Sequence, residues 1–274
     1  ARRPRAVLPE AAPDAPLLVF MHVPRTAGDA MRTHLFWDTQ VDRSLVWPTP
    51  YKHYSASFLT REDERLAFRP ETKLIKGFFS RRDLARINRS KRVFLFLRHP
   101  IERILSLHAE VGPLRRDREF GSVVRTVRYT PAEFVRRGDP PPDSELPAWQ
   151  WACTFAHDAV TWQLGDHQHC GHRANISGAE VLARAKETLA GAAFVGFYES
   201  MDSDFRRLWR EVFPHVRIAP YVPLAFWLGT LLSIPRLRVA KFSRSLPPEQ
   251  LEALRERNLL DIQLYDWARQ RFNP

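Results

Sequence analysis

The chain has 274 residues, 44% of them apolar and 12% aromatic, which excludes an intrinsically disordered protein and fits one large α/β domain or two small ones. Its 42 basic residues outweigh 31 acidic ones for a net charge of +11, with Arg far ahead of Lys, which favours anionic partners: nucleic acid, phosphates, acidic glycans or an acidic membrane face. Two cysteines, Cys153 and Cys170, are too few for a disulfide scaffold and leave one bridge or two free thiols open.

In chain order, residues 1–16 are rich in Pro, Ala and Arg and read as a flexible lead-in. Leu17–Val23 reads as the first strand and Ala27–Phe36 as the helix after it. Residues 38–70 read as an irregular excursion with a short helix near 60–68. Lys73–Phe79 and Arg92–Leu97 are the next strands, and Pro100 opens a helix to about Glu110, where its missing N–H costs nothing. Residues 111–145 read as a basic, Pro-rich surface loop around a short helix at 131–137. Trp149, Cys153, Ala156 and Val160 give Leu146–Leu164 helical spacing. Ser177 is the expected N-cap of a helix to Ala190, Ala193–Tyr198 a fourth strand, and Met201–Phe213 an amphipathic helix. The longest apolar stretch, Val222–Ile234, is too short to span a bilayer. Helix resumes over Pro247–Phe272 with a break near Asn258. Strands alternating with helices imply a parallel sheet covered on both faces, and residues 17–274 read as a single domain.

Two strand-to-helix turns concentrate the chemistry. In Pro24-Arg25-Thr26-Ala27-Gly28-Asp29-Ala30, small residues let backbone N–H groups approach an oxyanion, Arg25 adds positive charge, and Thr26 offers a hydroxyl. The pattern G-x-x-x-x-G-K-[ST] is absent, which disfavours an ordinary ATPase or kinase. In the second turn Arg98 ends a strand, and Ser106 lies two turns into the following helix, so a guanidinium fork and a hydroxyl can face one phosphate.

Taken together, the turns resemble those of the sulfotransferases that use 3′-phosphoadenosine 5′-phosphosulfate (PAPS), particularly the Golgi carbohydrate type related to heparan sulfate 2-O- and 6-O-sulfotransferases. His22-Val23-Pro24-Arg25-Thr26-Ala27-Gly28-Asp29 is similar to the family's 5′-phosphosulfate loop, H-I-P-K-T-G-G-T. Leu97-Arg98-His99-Pro100-Ile101-Glu102-Arg103-Ile104-Leu105-Ser106 is similar to its 3′-phosphate turn, L-R-D-P-x-E-R-x-x-S. The likeness extends to Phe194–Met201 and Asn258–Ala268. It implies a P-loop-like three-layer α/β fold, a central parallel sheet flanked by helices. It also implies in-line attack of an acceptor hydroxyl on sulfur, loss of adenosine 3′,5′-bisphosphate, a side-chain base and no metal. A basic loop at Lys241-Phe242-Ser243-Arg244-Ser245, with Lys241 and Arg244, would close over the nucleotide. The implied partner is an anionic or neutral glycan rather than nucleic acid. The implied location is the Golgi lumen, as a type II membrane protein whose anchor lies upstream of Ala1. Two sequons, at Asn88 and Asn175, agree with that location.

The chain also departs from the family pattern. Arg25 replaces a Lys that can donate a proton, and a guanidinium is a poor acid. Asp29 brings a carboxylate beside the phosphates, and Ala30 replaces a frequent Ser. Phe78 stands where the family places a basic His. Candidate bases are then Asp83, which also reads as a helix N-terminal acid, His22 and His108. These changes admit a working enzyme with a shifted base, or a relative that binds nucleotide or anionic glycan without turnover. His157, His167, His169, Cys170 and His172 form a His-rich run whose spacing matches no structural zinc pattern.

Overall fold

The computed structural model describes residues 16–26, 46–48, 72, 74–114, 156–167, 175–214 and 246–272, with backbone alone at 46–48 and 108–114. The expected helices at 27–36, 60–68 and 131–137, the loop 111–145 beyond residue 114, the stretch 222–234 and both cysteines lie outside these residues. The chain divides into two compact units, Ala1–Leu97 with Leu189–Leu232, and Arg98–Thr188 with Ser233–Pro274. The fold is α/β, a parallel sheet with flanking helices.

Unit 1 holds the sheet. Strands β1 (Leu17–Met21), β2 (Val46–Pro48), β3 (Leu74–Gly77), β4 (Lys91–Leu97) and β5 (Phe194–Phe197) run in the order β2-β3-β1-β4-β5, every pair parallel. The continuous apolar runs of β1 and β4 suit strands covered on both faces, where alternation is lost. Strand β1 is central, and its Phe20 lies opposite Lys76 on β3 and Phe94 on β4. The stretch read as an irregular excursion contains β2. Its three residues end on Pro48, which suits an edge strand, since on its outer side a residue needs no N–H to donate to a ladder. The short helix α1 (Arg81–Arg86) follows β3.

One face of the sheet is packed with aromatic rings. Phe20 and Phe94 stack at 5.3 Å, and Phe96 and Phe194 meet at 5.7 Å. Against them, helix α5 (Met201–Val212) lays Met201, Phe205, Leu208, Trp209 and Val212, all on one helical stripe. Asp204 fixes the turn from β5 into this helix, accepting from Phe197 N at 2.7 Å and Ser200 Oγ at 2.8 Å. Arg207 pairs with Asp204 at 3.1 Å, and its guanidinium covers the Phe194 ring at 4.6 Å.

Unit 2 is helical: α2 (Pro100–Leu114), α3 (Ala159–Gly165), α4 (Gly178–Ala190), α6 (Pro248–Glu256) and α7 (Leu259–Phe272), with the last two residues of α4 falling in unit 1. Ser177 Oγ accepts from Glu180 N at 3.2 Å, the expected cap of α4. The break near Asn258 is present, and Asn258 Nδ2 donates to Leu254 O at 3.0 Å to finish α6. The continuous helix expected through residue 160 is interrupted instead, because Asp158 adopts φ 44°, a left-handed conformation that costs a non-glycine residue energy. Reciprocal capping stabilises that break. Asp261 accepts from Val160 N at 3.2 Å and Thr161 N at 2.7 Å, while Asp158 Oδ1 accepts from Asp261 N at 3.0 Å. Each helix start thus supplies acceptors for the other's unpaired N–H groups. Gly165 lets α3 press against the Val181 carbonyl of α4.

No helix among the described residues is long and apolar enough to cross a membrane. Within the sheet, a Cβ on Gly196 would stand 2.5 Å from the Phe96 ring and 2.8 Å from that of Phe194. Gly196→Ala should therefore force buried rings off their rotamers and cost about 1–3 kcal/mol. Urea unfolding checks this as a lower midpoint at unchanged slope.

Candidate active site

Ligands in open α/β sheets bind at carboxyl strand ends where the connections diverge. Here the chain leaves β1 toward β2 and β3 but leaves β4 toward β5, so the switch lies between the adjacent carboxyl ends of β1 and β4. His22 follows β1 from this edge, and Arg98 is the residue directly after β4.

In the first turn, His22 N donates to Gly77 O at 2.8 Å, continuing the β1–β3 ladder one step past the strand. Its imidazole is buried and stacks on Phe20 at 5.7 Å and on Phe78 at 4.7 Å, both at 22°. Burial, then the charges of Lys76 and Arg25, hold the imidazole well below its ordinary pKa. His22 is consequently neutral near pH 7, a proton acceptor beside two cations. Lys76 was not among the sequence candidates. The available signal was a lone charge in the strand Leu74-Ile75-Lys76-Gly77, in register with Phe20.

Val23-Pro24-Arg25-Thr26 is a type II turn. Pro24 presets the first corner, Thr26 N donates to Val23 O at 3.3 Å, and Arg25 takes the second corner at φ 67°. That corner usually belongs to Gly, and a non-glycine residue there carries strain of order 1–3 kcal/mol. The Thr26 hydroxyl donates to Val23 O at 2.7 Å, and the side chain is buried. Its one O–H proton thus closes the turn. Ala27, Gly28, Asp29 and Ala30 lie outside the described residues.

The candidate base Asp83 occupies a different role. It is buried at the third position of α1, where Oδ2 accepts from Ser80 N at 2.8 Å and from Ser80 Oγ at 2.7 Å. Ser80 Oγ in turn accepts from Asp83 N at 3.3 Å, a complete capping box, and Arg86 lies 3.9 Å from Oδ1. Its carboxylate is engaged in the helix start, so the reading of Asp83 as a helix-terminal acid fits this geometry. His108 is in α2 beyond the described side chains. Lys241 and Arg244 also lie outside the described residues, as do His169, Cys170 and His172.

In the second turn, which begins unit 2, Pro100 is the first residue of α2 and His99 O accepts from Arg103 N at 2.9 Å. The His99 ring meets Tyr265 of α7 edge-on at 5.5 Å. Arg98 and Ser106 are both buried, and Arg98 Nη2 lies 4.0 Å from Glu102 Oε2. Arg103, fully buried, pairs with Asp261 at 3.5 Å. Burial lowers the Arg103 pKa and Arg98 adds to that, while Asp261 and Asp158 oppose it. This pair was not read from the sequence, because its partners lie in α2 and α7, far apart in the chain.

The neutral His22 links stability to pH. Its folded-state pKa is depressed, so below pH 6.5 the unfolded chain binds a proton that the fold excludes. Stability from this group is fully present above pH 6.5. It should fall by about 1.4 kcal/mol per pH unit below that, until the folded-state pKa is reached. Urea unfolding between pH 7.5 and 5.5 checks it: the loss should be smaller in His22→Gln than in the parent.

A sequence model described as the sulfotransferase family matches residues 13–268. Comparison with curated proteins finds no match. With nearly the whole chain covered, and a parallel α/β sheet beneath the match, the protein belongs to the sulfotransferase family, which includes the carbohydrate sulfotransferases of the heparan sulfate 2-O- and 6-O-type.

Proposed function

We propose that this protein transfers the sulfo group of PAPS to a carbohydrate hydroxyl, with His22 as the base. The observation that carries the reading is the family match over residues 13–268, with His22 placed just past the carboxyl end of β1, where its ring stacks on Phe78 at 4.7 Å. In this reading the acceptor oxygen attacks sulfur, a new O–S bond forms, and the S–O bond to the 5′-phosphate breaks. His22 takes the acceptor's proton, and adenosine 3′,5′-bisphosphate leaves. Arg25 and Lys76 offset negative charge that builds on the leaving phosphate. By the family resemblance, Arg98 and Ser106 would bind the 3′-phosphate and Thr26–Ala30 the 5′ end, while the basic segment with Lys241 and Arg244 would serve the same nucleotide.

His22 is favoured over Asp83 because Asp83 spends its carboxylate on the cap of α1. It is favoured over position 78 because a phenyl ring cannot accept a proton, and the imidazole stacks on that ring at 4.7 Å. The net charge of +11 suits an anionic glycan. Both sequon asparagines, Asn88 and Asn175, are exposed, in keeping with a Golgi-lumen protein held by an upstream anchor. Phe78 also favours a second reading, nucleotide or glycan binding without turnover.

Labelled PAPS offered with a panel of glycans tests the two. Transfer is expected, and His22→Gln should lower kcat by 100-fold or more, the usual scale of a lost base. That variant should still bind adenosine 3′,5′-bisphosphate. Nucleotide binding with no transfer to any glycan would support the second reading. Arg98→Ala should weaken the bisphosphate by about 10- to 100-fold, the loss of one charge-assisted phosphate contact. Calorimetry with unchanged binding would remove Arg98 from the site.

A further inference from the structure

Two buried guanidinium groups stand at the second turn. Arg103 is fully buried and has Asp261 at 3.5 Å, which also accepts from Thr161 Oγ1 at 2.8 Å and caps α3. That guanidinium is held inside the helical unit. Arg98 differs. It is 9% exposed, and the Glu102 carboxylate, 34% exposed, lies 4.0 Å from its Nη2. Glu102 sits one turn along from Arg98 at the start of α2, on a side chain long enough to swing into water.

We propose that Glu102 competes with the 3′-phosphate for Arg98, and so limits nucleotide affinity and speeds release of the spent donor. The inference rests on the reading of Arg98 as the 3′-phosphate ligand. A guanidinium offers a planar fork that engages a carboxylate or a phosphate through the same N–H groups. A phosphate brought to that fork comes within a few ångström of the Glu102 carboxylate, and like charges at that range repel. Arg103 cannot relieve the contest, because its charge is already matched by Asp261. Since affinity changes within one site fall mostly on the dissociation rate, the effect should be seen in product release.

Glu102→Gln tests this, because it keeps size and polarity while removing the charge. The probes are adenosine 3′,5′-bisphosphate and adenosine 5′-monophosphate, followed by calorimetry and by stopped-flow displacement. The expected result is bisphosphate binding tighter by roughly fivefold to tenfold, with slower dissociation and unchanged monophosphate binding. Glu102→Ala should give the same direction, which separates charge removal from any new Gln contact. A Glu102 that only favours the helix N-terminus would affect both nucleotides alike, or neither. Unchanged or weaker bisphosphate binding in both variants, with Arg98→Ala still impaired, would overturn the inference alone. Equal bisphosphate binding by the parent and Arg98→Ala would overturn the 3′-phosphate reading, and this inference with it.

Discussion

The first unit depends on where β1 lies. This buried strand is hydrogen-bonded to β3 on one side and β4 on the other, both parallel to it. A parallel sheet sends every carboxyl end to one edge, so the chain must leave β1 and β4 side by side. The register then sets which side chains stand there: Phe20 beside Lys76 and Phe94, and His22 one step further along the same face. The depressed basicity of His22 follows from that placement, because the aromatic face removes water from the ring while Lys76 and Arg25 oppose a third positive charge.

The helical unit rests on a different device, the carboxylate of Asp261. A buried ion pair adds little net stability, because desolvation cancels most of the attraction, yet removal of one partner leaves an uncompensated charge. The value of the Arg103–Asp261 pair is therefore geometric. One carboxylate accepts from two backbone N–H groups and a hydroxyl of α3 and meets a guanidinium from α2. The arrangement fixes the helix that carries Ser106 and Glu102 to the helix that closes the chain.

The sequence was most legible where one physical signal acted alone. The apolar runs of β1 and β4, the stripe of α5 from Met201 to Val212 and the Ser177 cap each read directly. It was least legible where distant partners decide. Strand β2 carries too few residues to show a period and exists by pairing with β3. Asp158 turns left-handed because, about a hundred positions on, Asn258 Oδ1 accepts from its N–H and Asp261 N donates to its carboxylate. Asp83 could be read as a base as well as a helix-terminal acid, and only the bonds of Ser80 to its carboxylate and its N–H separate the two. The family turns stood out in the residues, but the electrostatic state of His22 did not, since Lys76 and Phe78 reach it from another strand's end.

The exchange of caps between α3 and α7 also bears on how the chain folds during synthesis. Val160 and Thr161 leave the ribosome about a hundred residues before the carboxylate that completes their helix start. At roughly 5–20 residues per second, those N–H groups spend several seconds or more with water as their partner. The sheet waits about as long, because β5 follows β4 only after the intervening helices are made. Each unit is assembled from two separated stretches of chain, so neither can close before the ribosome has passed through part of the other.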